Sequence, residues 1–149
     1  MSDISALAGQ MPVLARTLGV WEGTYTKVDP AGAVLDRHRC RLTCSWLDDG
    51  TYLQVNEYAW EDGRREVHRF PGTVREGRLH FDTERIRGVS WEISDTNLVL
   101  NWVYKHDPSG FLWELITLSD DFRRKSRVWQ FFDGHQMTAL MLIKEERVR

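Results

Sequence analysis

Few side chains in this 149-residue sequence could carry chemistry. His38 and Cys40 stand two apart on a strand-like segment, and Cys44 follows four residues later. A metal centre of the zinc type needs three or four ligands converging at about 2.0–2.3 Å. Cys44 lies too far along an extended chain to join the other two, so no metal site is expected. The two cysteines would be about 13 Å apart at roughly 3.3 Å per residue, which is beyond disulfide reach and fits a reducing compartment. Glu92, between Trp91 and Ile93, and Glu114, between Trp113 and Leu115, are carboxylates set in apolar strands. Facing a cavity, either would have its pKa raised by desolvation and could act as an acid or base. Strict alternation instead sends each to solvent between two inward apolar neighbours. Tyr58 and His38 complete the candidate acid–base set. Nucleophilic catalysis has no motif: Gly-x-Ser-x-Gly, a cysteine with a histidine at a recognisable spacing, and a phosphate-cradling glycine loop are all missing.

Composition narrows the class of protein that must position these groups. The net charge of -2 gives no electrostatic footprint for nucleic acid. Apolar residues at 42% and charged residues at 28% describe an ordinary globular chain rather than a disordered one. Seven tryptophans are more than a dry core needs, and they favour a lined cavity or an interface. The sequence opens without a basic, apolar leader and has no apolar run of about 18 residues, so a soluble, cytoplasmic protein without membrane insertion is expected. Its length suits one domain over residues 1–149, as a monomer or homodimer.

Ile4, Leu7, Met11 and Leu14 fall at helical spacing behind a cap at Ser2 or Asp3, and Pro12 limits them to one short helix and a turn. This lead-in covers residues 1–18. Beyond it the helical period disappears. Turn chemistry recurs at Asp29-Pro30-Ala31-Gly32, Asp48-Asp49-Gly50, Glu61-Asp62-Gly63, Glu76-Gly77, Asp107-Pro108-Ser109-Gly110 and Asp133-Gly134. Alternating runs between such turns predict about nine or ten antiparallel strands, with Arg65 to Phe70 and Thr73 to Arg75 as separate segments. A meander this long removes its exposed edges by closing, so the fold class is all-β, a single up-and-down barrel.

Alternation then sorts the side chains. Arg37, Arg39 and Arg41 must be wet, which turns His38, Cys40, Leu42, Cys44 and Trp46 inward. On the third strand the choice is between Leu53 and Val55, which suit a dry core, and the amphipathic set Tyr52, Gln54, Asn56, Tyr58 and Trp60, which suits a ligand cavity. The second assignment is preferred. Both faces of Leu98 to Tyr104 and of Phe111 to Ile116 are apolar, and sidedness there stays open.

The segment Leu18-Gly19-Val20-Trp21-Glu22-Gly23-Thr24-Tyr25 resembles the Gly-x-Trp opening of the calycins, the group that includes lipocalins and fatty-acid-binding proteins. The resemblance implies that Trp21 plugs one end of the barrel, that Gly19 lets the backbone pass the indole, and that Arg127 or Arg147 packs across it. The chain as a whole is similar to bacterial lipocalin-like domains of unassigned function. Phe70-Pro71-Gly72-Thr73, Phe81-Asp82-Thr83, Trp91-Glu92 and Glu145-Glu146-Arg147-Val148 carry that likeness. Secreted lipocalins differ in their leader, their disulfide and a Thr-Asp-Tyr element, none of which this sequence has.

The expected function is binding of a small apolar or aromatic ligand without a cofactor. Tyr52, Tyr58, Trp60, Trp102, Trp113 and Trp129 would form walls, and Gln54, Asn56 and His38 would orient polar groups. The fold resemblance adds two alternatives. One is a cofactor-free cyclase or isomerase using Glu114, Glu92, Tyr58 or His38 on a polyketide- or terpenoid-like substrate. The other is a haem- or bilin-binding barrel. Of the five histidines, His106 and His135 fall in turns, and His38 or His68 is the candidate haem ligand.

Overall fold

The computed structural model describes residues 3–149. Two short helices, α1 (Ser5–Gln10) and α2 (Pro12–Arg16), precede ten strands. The strands are β1 (Gly19–Val28), β2 (Val34–Trp46), β3 (Thr51–Ala59), β4 (Arg65–Arg75) and β5 (Arg78–Asp82), then β6 (Ile86–Glu92), β7 (Asn97–Tyr104), β8 (Asp107–Leu118), β9 (Arg124–Asp133) and β10 (Gln136–Arg147). Each strand pairs with its chain neighbour, and β10 returns to pair with β1 from Trp21↔Arg147 to Val28↔Leu140, closing the barrel. The all-β barrel expected from the turn spacing is therefore the observed fold.

Several boundaries differ from expectation. Where one helix was expected there are two, because the residue before a proline is pushed out of helical geometry; Met11 lies at φ -140°, ψ 76° between them. The expected cap at Asp3 is not the one observed: Ile4 is the N-cap of α1 and makes no side-chain cap bond, although the Asp3 carboxylate accepts the Ser5 N–H at 2.9 Å. The other expected cap, Ser2, lies outside the described residues. Arg65 to Phe70 and Thr73 to Arg75 form one strand running through Pro71. The expected turn at Asp107 to Gly110 belongs to β8, since Tyr104 already pairs with Asp107 across Lys105 and His106.

One barrel end is plugged. Trp21 is fully buried and donates its indole N–H to the Thr17 carbonyl at 2.9 Å. The Arg147 guanidinium lies 4.3 Å and the Lys125 ammonium 4.4 Å from the Trp21 ring centre, the range of cation–π attraction. Arg147 also donates to the carbonyls of Arg16 at 2.5 Å and Leu18 at 2.7 Å where α2 ends, and to that of Phe122 at 3.0 Å in the β8–β9 connection. Gly19 sits at φ 124°, and a Cβ there would come within 2.9 Å of Arg147 Nη1. Arg147 thus fills the covering role beside Trp21 that the resemblance implied. Arg127 does not: it lies inside the barrel, away from the plug.

Replacing Arg147 by Ala strips three carbonyls of a charged donor and uncovers the indole. The expected cost is about 1–2 kcal/mol, kept at the low end because the site is part-exposed. A urea titration reads it as a lower midpoint at unchanged slope. Arg147→Lys should recover only part of the loss, since an ammonium cannot span three acceptors as a planar fork does.

Candidate functional site: the barrel interior

Inward residues repeat every second position on each strand and stack in layers from plug to mouth. Above the plug lies a buried charge cluster centred on Arg127 of β9. Its Nε donates to Glu145 Oε1 of β10 at 2.6 Å, its Nη1 to Glu114 Oε2 of β8 at 3.0 Å, and its Nη2 to the Tyr25 hydroxyl of β1. Trp129 Nε1 donates to the same Glu114 oxygen at 2.5 Å, and Lys125 Nζ stands 3.5 Å from Glu145 Oε2. Two carboxylates balance two cations. Burial pushes the Glu114 carboxyl above its usual range despite Arg127 and Trp129. Burial also acts on Glu145, but Arg127 and Lys125 together outweigh it and hold that carboxyl below its usual range.

Beside the cluster runs a ladder along the inner face of β3. The Tyr52 hydroxyl donates to Gln54 Oε1 at 3.2 Å, Gln54 Nε2 to Asn56 Oδ1 at 2.9 Å, and Asn56 Nδ2 to the Tyr58 hydroxyl at 2.9 Å. The ladder, Ser90, Glu114 and Arg127 line an enclosed chamber of about 50 Å³. A water occupies roughly 30 Å³ of liquid, so this chamber has room for about one or two.

An aromatic girdle roofs the chamber. Phe70 stacks on Trp102 with centroids 5.9 Å apart, Trp102 meets Trp129 at 5.9 Å, and Trp129 meets Tyr25 at 5.4 Å. Tyr25 touches Tyr58 at 5.0 Å, Tyr58 touches His68 at 5.5 Å, and His68 returns to Phe70 at 6.4 Å. The ring closes across five strands. Gly88 leaves space for it, because a Cβ there would stand 2.7 Å from the Trp102 Cβ.

Above the girdle the barrel opens into a mouth of about 650 Å³. Its walls add Trp60, Tyr104, Phe131 and Met141 to the girdle, with Lys27, Glu66 and Arg85 at the rim. His38 is buried against Tyr25 at 4.9 Å and Trp60 at 4.4 Å. Its Nδ1 lies 3.0 Å from Asp36 Oδ2, and Asp36 also accepts the Trp60 indole N–H at 2.9 Å. Burial raises the Asp36 pKa, but those two bonds outweigh it and leave the carboxyl below its usual range. The nitrogens His38 Nε2 and Trp102 Nε1 are both buried without a hydrogen-bond partner.

The expected site residues separate into groups. Tyr58, Trp60, Trp102, Trp129, His38 and His68 line the mouth; Tyr52, Gln54 and Asn56 line the chamber beneath it. Trp113 is a correction: expected on the wall, it faces outward and is 41% exposed, whereas its neighbour Glu114 points in. Glu92 also turns inward, but its carboxylate accepts the Leu14 N–H of α2 at 2.7 Å and ties the plug in place. Both glutamates are thus engaged by the protein itself. His68 Nδ1 lies 3.3 Å from Arg85, and its Nε2 lies 3.6 Å from Glu66. Burial pushes the Cys40 thiol up to about 12, so it is no nucleophile at neutral pH. Sequence reasoning missed Lys125, Glu145, Phe70 and Phe131; the i, i+2 run Lys125, Arg127, Trp129, Phe131 was the available signal.

Fold and interior together define a calycin-like barrel, closed at one end and open at an aromatic mouth. The chain belongs to the family described as domain of unknown function (DUF3598), N-terminal, whose model matches residues 9–149. A DUF3598 protein of unknown function from Nostoc punctiforme PCC 73102 has a similar fold, with TM-score 0.74 and 18% identity. That match covers 91% of this chain and 49% of the Nostoc chain, so this chain spans about half of that protein. The S-type phycobiliprotein lyase of Guillardia theta is similar at TM-score 0.74 and 12% identity, covering 99% of this chain and 98% of its own. Rv2717c from M. tuberculosis is similar at TM-score 0.64 and 12% identity, over 93% and 96% of the two chains. At these identities the likeness is one of fold. No protein of curated function matches the chain. Among the described residues, no helix is long and apolar enough to cross a membrane.

The cluster makes two predictions. Arg127→Ala leaves Glu145 and Glu114 buried with one cation fewer, and should cost about 3–5 kcal/mol in chemical denaturation. Glu114 releases its proton at a higher pH folded than unfolded, so its contribution is complete at low pH and declines as pH rises from about 4 through its folded pKa. Glu114→Gln removes that decline. The variant's stability relative to wild type should therefore rise between about pH 4 and pH 7, as read from paired urea midpoints.

Proposed function

We propose that this barrel binds a small, planar, largely apolar molecule in its mouth. The observation that carries the reading is the size and lining of that mouth: about 650 Å³, walled by aromatic rings. Small-molecule pockets span about 300–1,000 Å³ and combine apolar walls with a few placed polar groups. A filled core would have no such volume, and the 50 Å³ chamber below is too small for a ligand. His38 Nε2 and Trp102 Nε1, both unpartnered, belong to residues of the mouth wall and are the groups a polar ligand atom would satisfy. Around the mouth Lys27, Arg69 and Arg85 outnumber Glu66 and Glu84, a balance that favours a ligand whose outer end is anionic. The acid–base reading loses its two carboxylates, because Glu92 is engaged by Leu14 and Glu114 by Arg127 and Trp129; of its candidates only His38 and Tyr58 line the mouth. Likeness to a phycobiliprotein lyase makes a bilin one of the ligands to try.

The test is a fluorescence titration with 8-anilinonaphthalene-1-sulfonate, and in parallel an absorbance titration with biliverdin. One molecule per barrel is expected, with a dissociation constant on the order of 10 µM for the dye at about 0.3 kcal/mol per non-hydrogen atom. The double variant Trp60→Ala, Phe131→Ala should weaken binding about tenfold by removing two walls. Val67→Ala, on the outer face of β4, should leave it unchanged. Failure of both probes to bind the wild-type barrel would sink the reading.

A further inference from the structure

The outside of the barrel is two-sided. Around β1 to β3 it is dense in charge: Arg37, Arg39 and Arg41 of β2 run beside Glu22 and Glu57, and Arg41 pairs with Glu22. Around β6 to β10 the register instead aligns Trp91, Val99, Leu115, Val128 and Leu142 in one row across five adjacent strands. In the next row Trp113 sits between the amides Asn101 and Gln130. A third row carries Val103 and the stacked pair Phe111 and Phe132, whose centroids are 4.9 Å apart. Leu115 is 44% exposed, Leu142 43% and Val103 38%. The helices lie at the plugged end, and no described element covers this face.

We infer that this face is the interface of a homodimer. Its size argues first. Five strands at about 4.8 Å and three rows at about 6.8 Å give a patch of roughly 24 by 20 Å. That is about 500 Å² in projection and more as corrugated accessible surface, at the upper end of the patches monomers leave exposed and near the ~800 Å² each partner contributes to a stable complex. Its chemistry argues second. A face with no ionised side chain in its first two rows cannot select a charged partner, but it matches an equally uncharged one. A second copy presents that surface at equal concentration, and a two-fold axis sets row against row. Packed sheets lie about 10 Å apart, which lets Trp113 anchor the centre while the Asn101 and Gln130 amides fix the register. The mouth opens at the barrel end and stays free in such a dimer.

Sedimentation equilibrium of the full chain over about 1–100 µM tests this, with an expected dimer dissociation constant below about 10 µM. Trp113→Glu should raise that constant at least 100-fold while leaving the urea midpoint and dye binding in the mouth unchanged. Should Trp113→Glu not fold, Leu142→Lys, at the edge of the first row, must give the same monomer. A wild-type chain that is monomeric at 100 µM overturns the inference, whatever else then proves to cover the face. So does a folded Trp113→Glu variant that dimerises as wild type does.

Discussion

A guanidinium inside the barrel is the constraint around which the interior is arranged. Arg127 cannot shed its proton, and taking it out of water costs several kcal/mol unless anions and acceptors meet it in good geometry. Glu145, Glu114 and Tyr25 meet it from three other strands, so one side chain ties β8, β9, β10 and β1 together. Because strand side chains alternate, a one-residue slip in any of the four would send its partner to the outside. The cluster therefore does more for register than for stability; apolar replacements of matched shape could stabilise such a site as well.

From that layer the rest of the barrel follows along each strand. On β9 the inward residues run Lys125, Arg127, Trp129, Phe131, from charged to aromatic, and on β3 they run Tyr52, Gln54, Asn56, Tyr58 from the chamber to the girdle. Charge lies in the closed end and aromatic surface at the open one, the reverse of what solvation alone would choose. Two consequences follow for binding. The paired charges fill the lower barrel and leave only a chamber of about 50 Å³. The mouth keeps apolar rings facing water, which costs stability unless something else covers them. A ligand is the covering that this geometry fits.

Much of this was legible in the sequence, and the failures share one cause. Turns with Asp-Gly and Pro-x-Gly chemistry act locally, so an antiparallel order of about nine or ten strands could be read directly, whereas the plug at Gly19 and Trp21 came from the calycin resemblance. The inner face of β2 was readable because Arg37, Arg39 and Arg41 must be wet; that of β3 was preferred because its amphipathic set suits a cavity, and the observed register sets Cys40 opposite Tyr58 on that face. On β8 no charged residue marks the outer face. Sidedness therefore stayed open: Trp113 was expected on the cavity wall, while Glu114 was weighed both as a cavity-facing acid or base and as a solvent-facing residue. A buried carboxylate is tolerable only with its partner, and Arg127 is thirteen residues away on the next strand. Alternation cannot see that pairing. The same blindness left Arg127 and Arg147 as alternatives at the plug: the sequence offers two late arginines and no means of telling which reaches Trp21. The bulge between Met137 and Ala139 sets Met137 beside Phe132 of the outer face and turns Ala139 inward, a change of side that no periodic reading anticipates.

The ambiguity of β7 and β8 has a meaning beyond prediction. A strand with one face in water alternates, as β2 does; a strand covered on both faces reads as a continuous apolar run. Leu98 to Val103 and Phe111 to Ile116 read in the second way, broken only by Asn101 and by Glu114, whose partners lie inside. The barrel interior accounts for one face of these strands. Selection for a single covered face would place charge on the other, as it does at Arg37, Arg39 and Arg41 of β2; the outer faces of β7 and β8 carry no such run. The apolar outer rows are a property of the sequence as much as of the fold, and a surface that keeps tryptophan and phenylalanine where lysine or glutamate would serve solubility is one that is not meant to stay wet.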